Sequence, residues 1–206
     1  IKMSELSPRS TALLAQMLAE GFAEDEVAVF GGEVAQAEAF SHLPFNHIVF
    51  TGSPAVGHHI MRAASQNLTP VTLELGGKSP ALVSAEGPLA AAAERIAHGK
   101  AFNSGQICVS PDYALVPRSK VEEFATEVQA SFRKLYPTVQ GNHEYTSITS
   151  EPHAQRIRDL LAEATAKGAK VTACGDNGPG RRIPLHVVTG VTEDMRIAKE
   201  ELFGPI

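Results

Sequence analysis

Cysteine is scarce in this sequence: Cys108 and Cys174 are the only two in 206 residues. A disulfide-stapled scaffold needs more cysteines in a shorter chain. Both therefore read as reduced thiols in a reducing compartment, which predicts a cytoplasmic protein. An excess of positive charge is missing too. The chain has 18 Lys and Arg against 23 Asp and Glu, a net charge of −5, so it advertises no basic face for nucleic acid. No apolar run approaches the roughly 18 residues that span a bilayer. The eight histidines lack ligand spacing. His58 and His59 are neighbours that point apart on a helix, while His42 and His47 have no carboxylate or cysteine partner, so no metal site is expected. There is no internal repeat and no low-complexity tract beyond a short alanine run at Ala90–Ala93. What remains is ordinary for a globular chain, 43% hydrophobic and 20% charged, with a length that suits one large domain or two small ones.

Hydrophobic periodicity gives the order of elements. Leu13, Leu14, Met17 and Leu18 predict a helix after the cap candidates Ser10 and Thr11, stopped at Gly21. Val27–Phe30 predicts a short buried strand and Val34–Phe40 a helix. His47–Phe50 predicts a second strand, followed by a helix to about Gln66 with Val56, Ile60 and Ala64 on one face. Val71–Leu75 is a third strand. Short apolar strands alternating with helices predict βαβ units and a parallel sheet. After Gly76–Gly77 the pattern restarts. Strands are expected at Ala81–Val83, Tyr113–Val116, Lys170–Ala173 and Leu185–Val188. Helices are expected around Leu89–Ala97, around Val121–Phe132 and from Ile157 to Gly168. The fold class is α/β, with lobes at residues 1–76 and 77–206.

Three segments carry chemistry. In Phe50-Thr51-Gly52-Ser53 a strand enters a helix that begins near Pro54. Such a terminus offers free N–H groups to a phosphate, with Gly52 allowing close approach and Ser53 supplying a hydroxyl. It is equally what an ordinary N-cap looks like, and it lacks the three-glycine dinucleotide fingerprint. Glu74 lies at the C-terminal end of a strand, before two glycines, where α/β folds place active sites. Partial burial there would raise its pKa toward that of a useful base; the plain alternative is a carboxylate on a sheet rim. Cys108 lies between Gly105 and Pro111, on a turn rather than in a helix. A thiol nucleophile with a carboxylate base suffices for acyl chemistry through a covalent intermediate, whereas most free cysteines are simply small buried hydrophobes. Cys174 reads as the latter.

Taken together, the runs Ile1-Lys2-Met3-Ser4-Glu5, Phe50-Thr51-Gly52-Ser53 with Val56-Gly57, Leu68 to Pro80 through Glu74-Leu75-Gly76-Gly77-Lys78, Asn103-Ser104-Gly105-Gln106-Ile107-Cys108, and Glu200 to Pro205 resemble aldehyde dehydrogenases in order and spacing. Cys108-Val109-Ser110-Pro111-Asp112-Tyr113 is similar to the branch with coniferyl-aldehyde and fatty or aromatic aldehyde dehydrogenases. The resemblance implies a Rossmann-like cofactor domain ending near residue 76 and part of a catalytic domain after it. It implies that Cys108 attacks an aldehyde to give a thiohemiacetal, that hydride passes to NAD or NADP to leave a thioester, and that Glu74 activates the hydrolytic water. Lys2 and Glu5 match positions that bind the adenosine ribose, and Gly52 and Ser53 match the pyrophosphate turn. Leu75 and Gly76 lie where the carboxamide is held, and Glu201 and Phe203 match residues around the nicotinamide ribose and ring. Met3 departs from the proline usual after that lysine, which should affect loop rigidity more than chemistry.

The resemblance further implies a homo-oligomer (dimer or tetramer) acting on a small aldehyde. The chain matches the middle of a family subunit. The asparagine that completes the oxyanion site falls before residue 1, and Asn103 is not its counterpart. The 206 residues alone are therefore expected to be inactive, since removing one such donor costs about 10²- to 10³-fold. Two other readings are a cofactor-independent thiol hydrolase using Cys108 and Glu74, and a non-catalytic structural module. The first would need neither the Lys2–Glu5 nor the Glu201–Phe203 pair, and intact Cys108 and Glu74 speak against the second.

Overall fold

In the computed structural model, which describes residues 1–206, the chain divides into two units, residues 1–75 and 76–206. In the first unit β1 (Ile48–Gly52) and β2 (Val71–Leu75) run parallel, with Ile48 opposite Val71 and Gly52 opposite Leu75. Parallel neighbours need a crossover, here α3 (Pro54–Ser65). Pro54 presets the first turn of that helix, and Ser53 caps it by accepting the Val56 N–H at 3.3 Å.

The buried positions of α3 are Gly57, Ala63 and Ala64. Of the expected face, Ala64 is buried and Ile60 half-buried, but Val56 is 45% exposed. The smallest residues make the contact: a Cβ on Gly57 would sit 3.1 Å from Leu75 Cδ2, so the helix lies low on the strand. The first helix, α1 (Pro8–Ala19), starts earlier than expected. Ser7 is its N-cap, and Thr11 sits inside, donating from Oγ1 to the Ser7 carbonyl at 2.9 Å. α2 covers Val34–Ser41 and opens on a Glu33–Gln36 capping box. The predicted strand at Val27–Phe30 is not formed. A single parallel bridge joins Phe30 to Lys2, and one bridge makes no ladder.

The second unit contains both extended hydrophobic clusters. β3 (Ser79–Leu82) and β4 (Pro111–Leu115) are parallel, joined through α4 (Leu89–Ala101). α5 (Val121–Leu135) buries Phe124, Ala125, Val128 and Phe132, the stripe its apolar spacing predicts. It packs with α4 into a cluster that includes Tyr145 and Cys174. α6 (Glu151–Ala166) buries Ile157, Leu160, Leu161 and Ala164 against Met195, Ile197 and Leu202.

The last two strands depart from the predicted parallel sheet. β5 (Lys170–Ala173) and β6 (His186–Thr189) are antiparallel. The 12 residues between them form no helix, so there is no crossover to return the chain in the same direction. α7 (Arg196–Lys199) has four residues, too few to show a period in sequence. No helix is long and apolar enough to cross a membrane.

Candidate active site

In the second unit α4 gives way to a tight 3₁₀ turn, Phe102–Gly105. Asn103, Ser104 and Gly105 all have left-handed backbones, with φ of 49°, 53° and 72°. That conformation costs a non-glycine residue about 1–2 kcal/mol, so side-chain bonds must hold it. Asn103 Nδ2 donates to the Gln106 carbonyl at 3.1 Å, and Ser104 Oγ donates to the Thr146 carbonyl. Gln106, buried, donates from Nε2 to the carbonyls of Asn103 (3.0 Å) and Ser147 (3.2 Å), while its Oε1 accepts the Thr149 N–H at 2.8 Å. Gly105 has no room for a side chain, since a Cβ there would lie 2.3 Å from the Gly204 carbonyl oxygen. Every residue of Asn103-Ser104-Gly105-Gln106 thus fixes the turn, and Cys108 projects from it exposed.

Cys174 is its opposite. It is fully buried, and burial pushes its thiol up to about 12, against the partial pull of the Arg133 guanidinium. At pH 8 a thiolate-selective reagent should therefore modify Cys108 and leave Cys174 untouched until the protein is unfolded, as peptide mass mapping would show. Labelling of native Cys174 at a comparable rate would contradict this burial.

The run that touches Gly105 is the one containing Glu201 and Phe203, and it is bonded at every residue. Lys78 Nζ pairs with Asp112 and donates to the carbonyls of Ile197 (3.0 Å) and Glu200 (2.9 Å). Asp112 Oδ2 accepts the Leu202 N–H at 2.8 Å. Arg156 donates to the carbonyls of Glu201 (2.6 Å) and Leu202 (3.1 Å), and His153 Nε2 lies 2.7 Å from the Phe203 carbonyl oxygen. Phe203 itself is left-handed, φ 44°, and the residue is 36% exposed. Arg196, and then Arg156, hold the Glu200 carboxyl below the usual carboxylate range. Its neighbour Glu201 points the other way. A Cβ on Gly76 would lie 2.1 Å from both Glu201 carboxylate oxygens, so Gly76 is a cradle for that carboxylate.

The first unit places its candidates separately. Glu74 pairs in register with Thr51 and is exposed along with Thr72, while Val71, Leu73 and Leu75 are half-buried. Of the two readings open for Glu74, partial burial and a rim carboxylate, the structure has the second: period-2 alternation turns it away from the packed face. Ser53 is exposed and already uses its Oγ in the cap. A Cβ on Gly52 would come within 2.5 Å of the Phe50 ring. Lys2 Nζ donates to the carbonyls of Met3 (2.6 Å) and Gly32 (3.1 Å), and Glu5 is exposed. Among the described residues no cluster of His, Cys, Asp and Glu could hold a metal ion.

His153 and Arg156 escaped sequence reading, and Lys78 and Asp112, though inside the quoted runs, were given no role. Asp112 alternates with apolar neighbours in β4 as a surface residue would, and only the fold reveals that it is 8% exposed.

Parallel strands with helical crossovers, and an exposed thiol on a side-chain-locked turn, define an α/β protein with a candidate thiol site. Residues 1–206 match the Aldehyde dehydrogenase family, and the chain belongs to that family. It is 50% identical over 206 residues to a protein of Pseudomonas aeruginosa named "Probable coniferyl aldehyde dehydrogenase", and 42% identical over 213 residues to the "Coniferyl aldehyde dehydrogenase" of a Pseudomonas species. These alignments take in 100% of this chain, but 43% and 44% of those proteins. Among solved structures, a substrate-bound Staphylococcus aureus AldH superposes with a TM-score of 0.91 at 36% identity, over 100% of this chain and 44% of that one. The Mycobacterium tuberculosis aldehyde dehydrogenase complexed with NAD+ gives 0.87 at 31% identity, over 99% and 44%. The chain thus spans less than half the length of the relatives it matches.

Proposed function

We propose that the protein containing these residues oxidises an aldehyde to the carboxylic acid with NAD+ or NADP+, through a covalent bond to Cys108. The observation that carries this reading is the exposed Cys108 on a turn whose Gly105 is packed against Gly204, in a chain that matches the family along its whole length. Sγ adds to the carbonyl carbon and makes it tetrahedral, and the Cys108 backbone N–H is the donor we assign to the oxyanion. The nicotinamide cofactor, when bound, accepts the hydride that leaves this carbon. Glu74 then takes a proton from the water that breaks the C–S bond, releasing the acid and freeing the thiol.

The Glu201 carboxylate, seated over Gly76, can accept hydrogen bonds from ribose hydroxyls, and the exposed Phe203 ring offers an apolar face to the nicotinamide. In the first unit Lys2 and Glu5 suit the adenosine ribose. Gly52 and Ser53, at the start of α3, suit the pyrophosphate, and Leu75 and Gly76 suit the carboxamide. Residues 1–76 thus contribute to a cofactor domain and 77–206 to a catalytic one. The coniferyl aldehyde dehydrogenase relatives make coniferyl and related aromatic or fatty aldehydes the first substrates to test. A cytoplasmic homo-oligomer, inactive when cut to these 206 residues, completes the reading.

Glu74→Gln tests the assignment of the base. The expected result is a burst of about one NADH per site, followed by a steady rate lowered about 10²- to 10³-fold as thioester accumulates. An unchanged steady rate would remove Glu74 from the reaction.

A further inference from the structure

The two peptide groups that flank the Phe203 Cα are both held by side chains of α6. On one side, the Leu202 carbonyl accepts from Arg156 Nη1 at 3.1 Å. On the other, the Phe203 carbonyl oxygen lies 2.7 Å from His153 Nε2. A carbonyl only accepts, so that ring nitrogen carries the hydrogen. No other hydrogen bond within the protein reaches the Phe203 carbonyl. His153 and Arg156 stand at i and i+3 of α6 and therefore share a face. The helix lies directly against the run it holds: a Cβ on Gly204 would sit 2.4 Å from Ile157 Cδ1. Ser150 Oγ fixes the first turn by accepting the His153 N–H at 3.3 Å.

Fixing both peptide planes fixes the Cα–Cβ direction between them, so the pair aims the Phe203 side chain. The chain does not favour that aim, because φ of 44° lies in the left-handed region that a Cβ resists. The imidazole also stands beside the phenyl ring, with centroids 6.1 Å apart and planes tilted by 60°. The reaction above gives His153 no part.

We propose that His153 is a positioning residue for the nicotinamide end of the cofactor: its Nε2–H holds the Phe203 peptide in the left-handed turn that presents the phenyl face to the nicotinamide ring. This rests on the reading of Phe203 as the nicotinamide contact. Without the bond, the Phe203 peptide relaxes toward ordinary backbone angles and the ring swings away. The rest of the cofactor is spared, because Glu201 is held through its own carbonyl by Arg156 at 2.6 Å.

The test compares NAD+ with ADP-ribose, which lacks the nicotinamide, by calorimetry on the full-length protein. His153→Ala should weaken NAD+ binding roughly fivefold, the scale of one lost hydrogen bond, and leave ADP-ribose binding unchanged. A merely structural role would weaken both. His153→Gln puts an amide donor where Nε2 was and should recover most of the affinity. His153→Asn puts one nearer the backbone, short of the carbonyl, and should behave as His153→Ala does. Phe203→Ala should weaken NAD+ and spare ADP-ribose, and adding His153→Ala to it should cost nothing further. If Phe203→Ala leaves NAD+ affinity unchanged, or weakens both ligands alike, the reading of Phe203 fails. If Phe203→Ala behaves as expected, three results overturn the role of His153 while Phe203 stands: His153→Ala leaves NAD+ unchanged, it weakens both ligands alike, or its cost adds in full to that of Phe203→Ala. Should His153→Ala not fold, the two amide variants decide. Tighter NAD+ binding by His153→Gln than by His153→Asn, at equal ADP-ribose affinity, supports the role, and equal NAD+ affinity overturns it.

Discussion

Cys108→Ser in the full-length protein should lower aldehyde oxidation by about 10³-fold or more. The serine hydroxyl has almost no anionic fraction near neutral pH and is a far weaker nucleophile than a thiolate. The loss should lie in kcat. The urea midpoint should hardly move, because an exposed residue on a turn fixed by its neighbours contributes little to stability. NAD+ affinity should also be kept, since the Glu201–Phe203 run is held by Lys78, Asp112, Arg156 and His153 rather than by the thiol. Steady-state assay of the serine variant with coniferyl, benzyl and long-chain aldehydes checks the first point, and calorimetry the last.

Asp112→Ala should have the largest effect on stability. Its carboxylate is 3% exposed at the side chain and meets both Lys78 and the Leu202 N–H. Removing it leaves the Lys78 ammonium without its counter-charge, along with an unpaired backbone donor. Breaking a buried pair from one side costs about 3–5 kcal/mol. Cofactor affinity should fall in parallel, because Lys78 and Leu202 fix the residues on either side of Glu201. Asp112→Asn keeps the acceptor oxygen for Leu202 and should recover part of the stability, while the charge defect remains. Chemical denaturation of the three proteins measures this. A loss within about 0.5 kcal/mol for the alanine variant, the range of ordinary surface changes, would show that the pair is not structural.

The elements of the second unit were legible where burial writes a period into the chain. Phe124, Val128 and Phe132 on α5, and Ile157, Leu160 and Ala164 on α6, are apolar because the core requires it, and their spacing shows the helix. Asn103 to Gln106 was recognisable as a motif, but not for its reason. The left-handed backbone and the bonds to Thr146, Ser147 and Thr149 depend on residues some 40 positions away. The strand expected at Val27–Phe30 failed because strand formation depends on partners, and only Lys2 pairs there. The sequence left the burial of Glu74 open, because two half-buried leucines beside a residue say which face it does not share, and nothing of what covers the other. Lys78 and Asp112 form a pair built from the approach to β3 and from β4, and no local pattern distinguishes such charges from solvated ones.

The most direct measurement is to trap the intermediate. The Glu74→Gln protein would be mixed with coniferyl aldehyde and NAD+, quenched in acid and mapped by peptide mass spectrometry. The expected result is an acyl increment on the peptide containing Cys108, formed in step with one equivalent of NADH per site and absent without NAD+. Stoichiometric NADH with an unmodified Cys108, or an increment confined to another residue, would contradict covalent catalysis by this thiol.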